Sequence, residues 1–392
     1  MNDRRERFRR QLAQLEASGS PATAIDAGLY VPRPTSSERT IRRIELEPRA
    51  TRVITGPIGS GKSTELLVIA RALNQMDDLW AVVVDVSQVH DLAELREGSL
   101  IAAAGIWLLE QEQLDSKPLR RLREIAYGTL ETRDGFTGKL WTDLSRSSIP
   151  EPSRGILQPP SAGGSPAWQM ASWLEEAARA RAPRAPILLF DSLDRVRDSA
   201  GFRTVLENDA AALVGHGFGV MLTAPVDTVW RHADELRSST KSWDTLPYED
   251  PRKSPDAFGF LLEILRRRII DGMISDSVAH RLVHTSGGIL RDLIELARNA
   301  VEEAYMSGHD NVTQNDATTS IWRFARSLSL GLDSADMATL RSVHESGTLE
   351  RLDEATLRLL KSRQVIEHYA EDSYFEVHPV LQPTIERWAA AS

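Results

Sequence analysis

The stretch Val53-Ile-Thr-Gly-Pro-Ile-Gly-Ser-Gly-Lys-Ser-Thr64 decides the fold of this 392-residue chain. It matches the phosphate-binding pattern G-x-x-x-x-G-K-[ST] in full, between a predicted apolar strand and a predicted amphipathic helix. Its glycines let the backbone curl tightly, so that successive amide groups point at phosphate oxygens. The first turn of the helix adds the positive end of its dipole. The stretch therefore predicts a binding site for a nucleoside triphosphate.

The side chains of this loop have distinct expected roles. Lys62 is expected to reach the β- and γ-phosphates as a point charge, Ser63 to ligate Mg²⁺, and Thr64 to contact the α-phosphate side. The other residues expected to contact the nucleotide are Gly56, Pro57, Ile58, Gly59, Ser60 and Gly61. The predicted ligands are ATP and Mg²⁺, although no base-specific motif such as N-K-x-D separates ATP from GTP.

A second acidic motif, Ile187-Leu-Leu-Phe-Asp-Ser-Leu-Asp-Arg195, supplies the partner that such a loop needs. Four apolar residues predict a buried strand that ends at Asp191. There the carboxylate is expected to hold Mg²⁺, directly or through water, and Asp194 to orient or deprotonate the attacking water. The predicted catalytic residues are thus Lys62, Asp191 and Asp194. The structural alternative is a strand followed by an Asp-capped turn.

The order of predicted elements indicates an α/β fold: a P-loop NTPase core with a parallel sheet, a helical lid subdomain and a C-terminal winged-helix domain. Strands are predicted at 52–55, 80–86, 187–191 and 219–223, with helices between them, including a long one at 92–114. The predicted divisions are an N-terminal helical segment (1–24), the core (25–254), the lid (255–330) and the winged helix (331–392). A polar insertion at about 115–166 is interpreted as partly disordered or as a surface lid.

Composition narrows the possible partners and compartments. The chain has a net charge of −9 and no cysteine, which excludes disulfides, cysteine nucleophiles and thiolate metal sites. No apolar run approaches the roughly 18–20 residues of a membrane-spanning helix, and the basic N-terminus lacks the apolar core of a secretory signal. We therefore expect a cytoplasmic protein. Because the net charge is negative, DNA binding would require a local basic patch.

The loop, together with the apolar strand and D-x-L-D-R, resembles the STAND and KAP branch of AAA+-related ATPases over roughly residues 24–304. Many AAA+ enzymes carry Glu directly after the Asp, whereas this chain has Ser192, which favours the D-x-x-D arrangement for hydrolysis. The resemblance implies an ATP-hydrolysing regulatory switch that controls a protein partner in signalling or anti-phage defence. Two alternatives stay open: a nucleotide-dependent DNA-binding regulator of the transposition or origin-recognition kind, and a nucleotide-binding module with little turnover.

Three further segments resemble nucleotide-contacting regions of the same class. G-V-M-L-T-A-P is similar to the sensor strand, which places Thr223 near the γ-phosphate. S-G-G-I-L-R-D is similar to the second-sensor region, in which Arg291 faces the nucleotide. A-G-L-Y-V-P resembles the segment around the adenine in origin-recognition-like ATPases, with Tyr30 and Val31 as candidates. An ordinary core strand and a solvent-facing arginine are the structural alternatives for Thr223 and Arg291.

The C-terminal segment has the element order of a winged helix: helix, helix, hairpin. Its predicted recognition helix at 354–362 carries Arg358 and Lys361. The turn of the hairpin carries Glu371 and Asp372, which would face phosphate unfavourably. We therefore expect it to bind a protein or to inhibit the core, with DNA binding as the alternative. The expected partners are a second copy of the chain or a protein effector.

Overall fold

The computed structural model describes residues 2–16, 21–33, 37–114, 116–127, 165–196, 199–225, 228, 231–270, 272–349, 353–369 and 373–391. The chain divides into two compact units. The core unit comprises Ser36–Gly56 and Lys62–Thr245, and the terminal unit comprises Met1–Thr35, Pro57–Gly61 and Leu246–Ser392. The central part of the predicted insertion, 128–164, lies outside the described residues.

The strands are β1 (Thr51–Thr55), β2 (Leu79–Asp85), β3 (Ala185–Asp191), β4 (Gly219–Ala224), β5 (Ser242–Thr245), β6 (Val365–Tyr369) and β7 (Ser373–Val377). In chain order the helices are α1 (Asn2–Gln14), α2 (Pro21–Asp26), α3 (Ser37–Leu46), α4 (Lys62–Leu73), α5 (Val86–Val89), α6 (Ser99–Glu110), α7 (Lys117–Tyr127), α8 (Pro166–Ala178), α9 (Ser199–Thr204), α10 (Ala211–Gly215), α11 (Ala233–Ser239), α12 (Pro255–Arg266), α13 (Asp276–Thr285), α14 (Leu290–Met306), α15 (Gln314–Leu328), α16 (Ser334–Ser346), α17 (Glu354–Lys361) and α18 (Gln382–Ala391).

The core unit is built on a five-stranded parallel sheet in the order β2-β3-β4-β1-β5. This confirms the predicted α/β fold. Successive residues of β3 face opposite sides of the sheet, so Leu188 and Phe190 pack with α6 and α8, while Leu189 packs with α4. Burial on both faces explains why the strands read as continuous apolar runs. The edge strand β5 was not predicted, because its sequence S-W-D-T is short and largely polar.

The parallel arrangement determines where the site lies. Ile54 of β1 is in register with Thr223 of β4, and Phe190 of β3 is in register with Leu222 of β4. The carboxyl ends of these three strands therefore meet at one edge of the sheet. The residues that follow β1 and β3 are the phosphate-binding loop and the acidic motif.

The first part of the predicted insertion is ordered helix. Leu119 and Leu122 of α7 are buried in the same hydrophobic cluster as α6. A Cβ on Gly105 of α6 would lie 2.7 Å from the Leu122 side chain, so glycine permits the two helices to pack closely. Residues 117–127 thus belong to the packed core unit.

The terminal unit has a helical core formed by α12 to α15. Phe8 and Leu15, at the N-terminal end of the chain, are buried in this core, so the N-terminal segment packs on these helices. After α16 and α17 come the antiparallel strands β6 and β7, and then α18. The order helix, helix, hairpin matches the sequence expectation, and its assignment as a winged helix stays a prediction. No described helix is both long enough and apolar enough to cross a membrane.

Candidate nucleotide-binding site

The phosphate-binding loop joins the fully buried strand β1 to helix α4, which begins at Lys62. Gly56 and Lys62 belong to the core unit, whereas Pro57–Gly61 belongs to the terminal unit. The Ser60 amide donates to the Pro57 carbonyl at 3.2 Å and closes a turn within the loop. The loop thus has the strand-to-helix setting that its sequence predicts.

Lys62 lies at the centre of the site and is 4% exposed. Its Nζ donates to the Gly56 carbonyl at 2.8 Å and forms an ion pair with Asp194 Oδ2 at 2.8 Å. The structure therefore brings two of the three predicted catalytic residues into direct contact. A buried ammonium paired with one carboxylate is well placed to interact with a second anion such as phosphate.

Asp191, the third predicted catalytic residue, ends β3 and is buried. Burial raises the pKa of its carboxyl, against the opposing effects of hydrogen bonds from the Ser63 hydroxyl and the Ser192 amide. Its Oδ1 is buried and has no hydrogen-bond partner. An unpartnered buried carboxylate oxygen beside a hydroxyl is a donor set that suits Mg²⁺. Ser63 and Asp191 therefore fit the predicted metal site.

The turn between the two acidic residues has an unusual backbone. Ser192 has a φ of 71°, in the left-handed region that a non-glycine residue seldom adopts. Thr223 lies beside this turn, where its hydroxyl accepts from the Leu193 amide at 3.0 Å and donates to the Phe190 carbonyl at 3.4 Å. Thr223 thus fixes the turn that carries Asp191 and Asp194. Its predicted contact with the γ-phosphate stays a prediction.

The tip of the loop packs within the terminal unit. A Cβ on Gly59 would lie 3.1 Å from Arg291 Cβ, and one on Gly61 would lie 3.4 Å from Leu290 Cδ1. Both glycines have positive φ, at 87° and 99°, so other residues would be strained there. The structure therefore places Arg291 beside the loop with an exposed side chain. Whether Arg291 contacts a nucleotide stays a prediction.

Sequence reasoning missed two residues that hold the loop tip. The Tyr248 hydroxyl donates to the Ile58 carbonyl, and the Arg33 guanidinium donates to the Ser60 carbonyl at 2.5 Å. Both side chains are buried in the terminal unit. Neither lies in a motif, and they are far from the loop along the chain. The motif nearest to Arg33 in the sequence is A-G-L-Y-V-P, which ends directly before it.

The predicted adenine-contacting residues are partly buried in the terminal unit. Val31 packs against its hydrophobic core, and the Tyr30 carbonyl accepts from Arg267. Arg268 donates to the preceding carbonyl, that of Leu29, at 3.0 Å. The two arginines therefore fix the backbone of this segment. Contact of Tyr30 and Val31 with a base stays a prediction.

The fold brings one histidine close to two carboxylates. Ligand atoms of Asp250, His368 and Glu376 lie within 4.8 Å of one another. The Arg252 guanidinium contacts both carboxylates. A cation is therefore already supplied by the chain, and we assign no metal to this group.

Neither a protein-family model nor a curated protein matches the sequence. Solved structures are similar in fold. One of them is the ORC2 protein of Aeropyrum pernix in ADPNP-ADP complexes, at 13% identity, with coverage of 92% of this chain and 97% of that chain and a TM-score of 0.48. Cdc6p from Pyrobaculum aerophilum is similar at 13% identity, 92% and 96% coverage and a TM-score of 0.47. The Aeropyrum pernix ORC1 protein, in complex with DNA, is similar at 11% identity, 92% and 95% coverage and a TM-score of 0.46.

The core has the α/β architecture of a P-loop NTPase fold. Strand β1, the loop, α4 and the acidic end of β3 are the elements in which the sequence predicts nucleotide binding. At identities this low the likeness concerns the fold alone. Assignment of a partner or a reaction therefore depends on the residues of this site.

Proposed function

We propose that this chain binds ATP with Mg²⁺ and hydrolyses it to ADP and phosphate, as a switch whose nucleotide state controls a partner. One observation carries the proposal. The buried Lys62–Asp194 ion pair lies in the same unit as Asp191, whose Oδ1 is buried and has no partner. A cation, a carboxylate able to position water and a carboxylate able to bind metal are the parts that phosphoryl transfer requires.

Each of these residues has a defined role in the proposal. Lys62 binds the phosphate oxygens on which negative charge develops. Ser63 and Asp191 hold Mg²⁺, which supplies charge neutralisation when it is bound. Phosphate competes with Asp194 for the Lys62 ammonium, and the carboxylate of Asp194 is then available to orient the attacking water. Because Asp194 is 12% exposed, water can reach it.

The remaining predicted site residues enter the proposal as nucleotide contacts. In the proposal the loop surrounds the phosphates, Thr223 lies near the γ-phosphate, Arg291 faces the nucleotide, and Tyr30 and Val31 are the candidates for contact with the base. We further propose that the helices from α12 to α15 serve as the lid, and that α16, α17 and the β6–β7 hairpin form the winged helix. A nucleotide-dependent shift in these elements would expose or cover the partner's binding surface.

Control of a protein partner, in signalling or defence, is the first candidate for the output. One contact favours it: the Arg358 guanidinium on the predicted recognition helix is paired with Asp336 at 2.5 Å. Because this pairing offsets the charge of Arg358, the predicted recognition helix offers less positive charge to the phosphates of DNA. The second candidate is nucleotide-dependent DNA binding of the origin-recognition kind; solved structures of similar fold include the ORC1 protein of Aeropyrum pernix in complex with DNA.

Phosphate release by the purified protein, with Mg²⁺ and with or without duplex DNA, tests hydrolysis. Wild type is expected to turn over ATP, whereas Lys62→Ala loses nucleotide binding. Asp194→Asn should retain binding and lose turnover by at least about 100-fold, the scale of removing a group that stabilises the transition state. Wild-type turnover no greater than that of Lys62→Ala would contradict hydrolysis. Retained nucleotide binding in that case would support the low-turnover module instead.

Retention on duplex DNA, measured at several salt concentrations with ATP or ADP, separates the two outputs. The DNA candidate requires nucleotide-dependent binding that weakens steeply as salt rises, because phosphate contacts release counterions. Binding that is absent, or independent of salt, would exclude it.

A further inference from the structure

We propose that Arg33 and Tyr248 are positioning residues of the nucleotide site: they form a clamp on the outer side of the loop that orients its amides toward phosphate. The inference rests on the proposed nucleotide binding. Both residues and the loop tip, Pro57–Gly61, belong to the terminal unit.

The clamp acts on alternate peptide groups. Tyr248 donates to the carbonyl of the peptide that joins Ile58 to Gly59, and Arg33 donates to the carbonyl of the peptide that joins Ser60 to Gly61. In a trans peptide the C=O and N–H groups point in opposite directions. Holding these two carbonyls therefore directs the Gly59 and Gly61 amides to the opposite side of the backbone. Amides directed this way form the concave anion site that a phosphate needs.

Both clamp residues are themselves tightly held. Tyr248 is 2% exposed and packs with Ile289 and Ile366, and its backbone carbonyl accepts from His368 Nδ1 at 3.2 Å. The other half of the clamp, Arg33, is 6% exposed.

Other groups of the terminal unit also hold Arg33 in place. Its guanidinium also donates to the Pro247 carbonyl at 3.1 Å, lies 3.8 Å from Glu249 Oε1 and stacks over the Phe260 ring at 5.5 Å. A side chain fixed in this way loses little further freedom when it orients the loop. The clamp therefore sets the geometry of the loop before nucleotide arrives, which lowers the cost of binding.

Two variants with a matched control test the clamp. Tyr248→Phe removes only the hydroxyl donor, and Arg33→Lys keeps the positive charge beside Glu249 but not the fork that holds two carbonyls. Tyr374→Phe is the control, because it deletes a hydroxyl that donates to Asp250 at 2.8 Å in the same unit but does not contact the loop.

The first measurement is the affinity for a fluorescent ADP analogue with Mg²⁺. Each clamp variant should raise the Kd about fivefold, the effect of losing one hydrogen bond, while the control stays within about twofold of wild type. Unchanged affinity in both clamp variants would overturn the proposal. Loss of affinity that is matched by the control would also overturn it, since the effect would then be general destabilisation.

The second measurement is amide hydrogen exchange of a peptide covering residues 53–66 in the protein without nucleotide. Exchange should be faster in both clamp variants than in wild type or the control. This readout separates the two proposals. If wild type binds no nucleotide, the proposed function fails, yet faster exchange still supports the clamp and unchanged exchange refutes it.

Discussion

Ser192 lies between the two acidic residues of the second motif, and its backbone is unusual. It is buried, and its φ of 71° places it in the left-handed region immediately after Asp191. Holding a residue with a Cβ there costs about 1–2 kcal/mol. The surrounding contacts must supply that energy, among them the Thr223 hydroxyl that binds the next amide. The turn that carries the acidic residues is therefore strained at the point where they diverge.

The strain at Ser192 leads to a prediction about stability. Ser192→Gly should be more stable than Ser192→Ala by about 1 kcal/mol, because both lack the hydroxyl but only glycine accepts a positive φ without cost. Urea unfolding of the two variants measures the difference. Equal stability, or greater stability of the alanine variant, would show that the backbone of this turn is not held in the left-handed region.

The buried His90 is expected to make the stability of the protein depend on pH. Burial lowers the pKa of His90 to about 4 in the folded protein. Between pH 6.5 and 4 the unfolded chain therefore binds a proton that the folded chain does not, so stability falls as the pH falls through this window. The loss attributable to His90 is about 2 kcal/mol at pH 5.

The comparison of wild type with His90→Gln isolates this contribution. The stability difference between pH 7.5 and pH 5, measured by urea unfolding, should be smaller in the variant by about 2 kcal/mol. All other titrating groups are common to both proteins and cancel. Identical pH dependence would mean that His90 titrates normally when folded.

Among the helices, the predicted single helix at 92–114 is replaced by a shorter helix, α6, which begins at Ser99. The preceding Gly98 has a φ of 91°, which breaks the helical path. The carboxylate of Asp209, distant in sequence, accepts from the Gly98 and Leu100 amides at 2.7 and 2.8 Å. It satisfies amides that the start of a buried helix would otherwise leave without a partner. Apolar periodicity extends across the break, so the pattern alone did not reveal it.

Asp209→Ala should destabilise the protein by about 2–4 kcal/mol, because it leaves two buried amides without an acceptor. Asp209→Asn retains one acceptor oxygen and should lose less. Urea unfolding at pH 8 is the appropriate measurement, since burial raises the pKa of Asp209 to about 7 and the carboxylate is ionised above it. Equal losses in the two variants would show that the amides are not the cause.

On the scale of the whole molecule, a ligand that binds the folded chain but not the unfolded chain stabilises the folded state by linkage. Binding of ATP at the phosphate-binding loop is therefore expected to stabilise this protein. At a ligand concentration 100 times the Kd, the gain is about 2.7 kcal/mol.

Thermal unfolding with ATP, with and without Mg²⁺, measures this linkage and the role of the metal. Wild type should gain stability from ATP, and chelation of Mg²⁺ should remove part of the gain. In Asp191→Asn the part that depends on Mg²⁺ should disappear, because the carboxylate that binds the metal is gone. Lys62→Ala should show no gain from ATP. A full Mg²⁺ effect in Asp191→Asn would place the metal elsewhere.

The sequence by itself determined the parts of this protein that depend on neighbouring residues. The strand, the glycine-rich loop and α4 are contiguous, and so are the apolar run and Asp191, because local spacing dictates strand, turn and helix. Only the tertiary structure decided the contacts between distant segments, such as the Lys62–Asp194 ion pair and the Arg33 and Tyr248 clamp. Those contacts depend on strand order and side-chain packing, neither of which leaves a local pattern in the sequence.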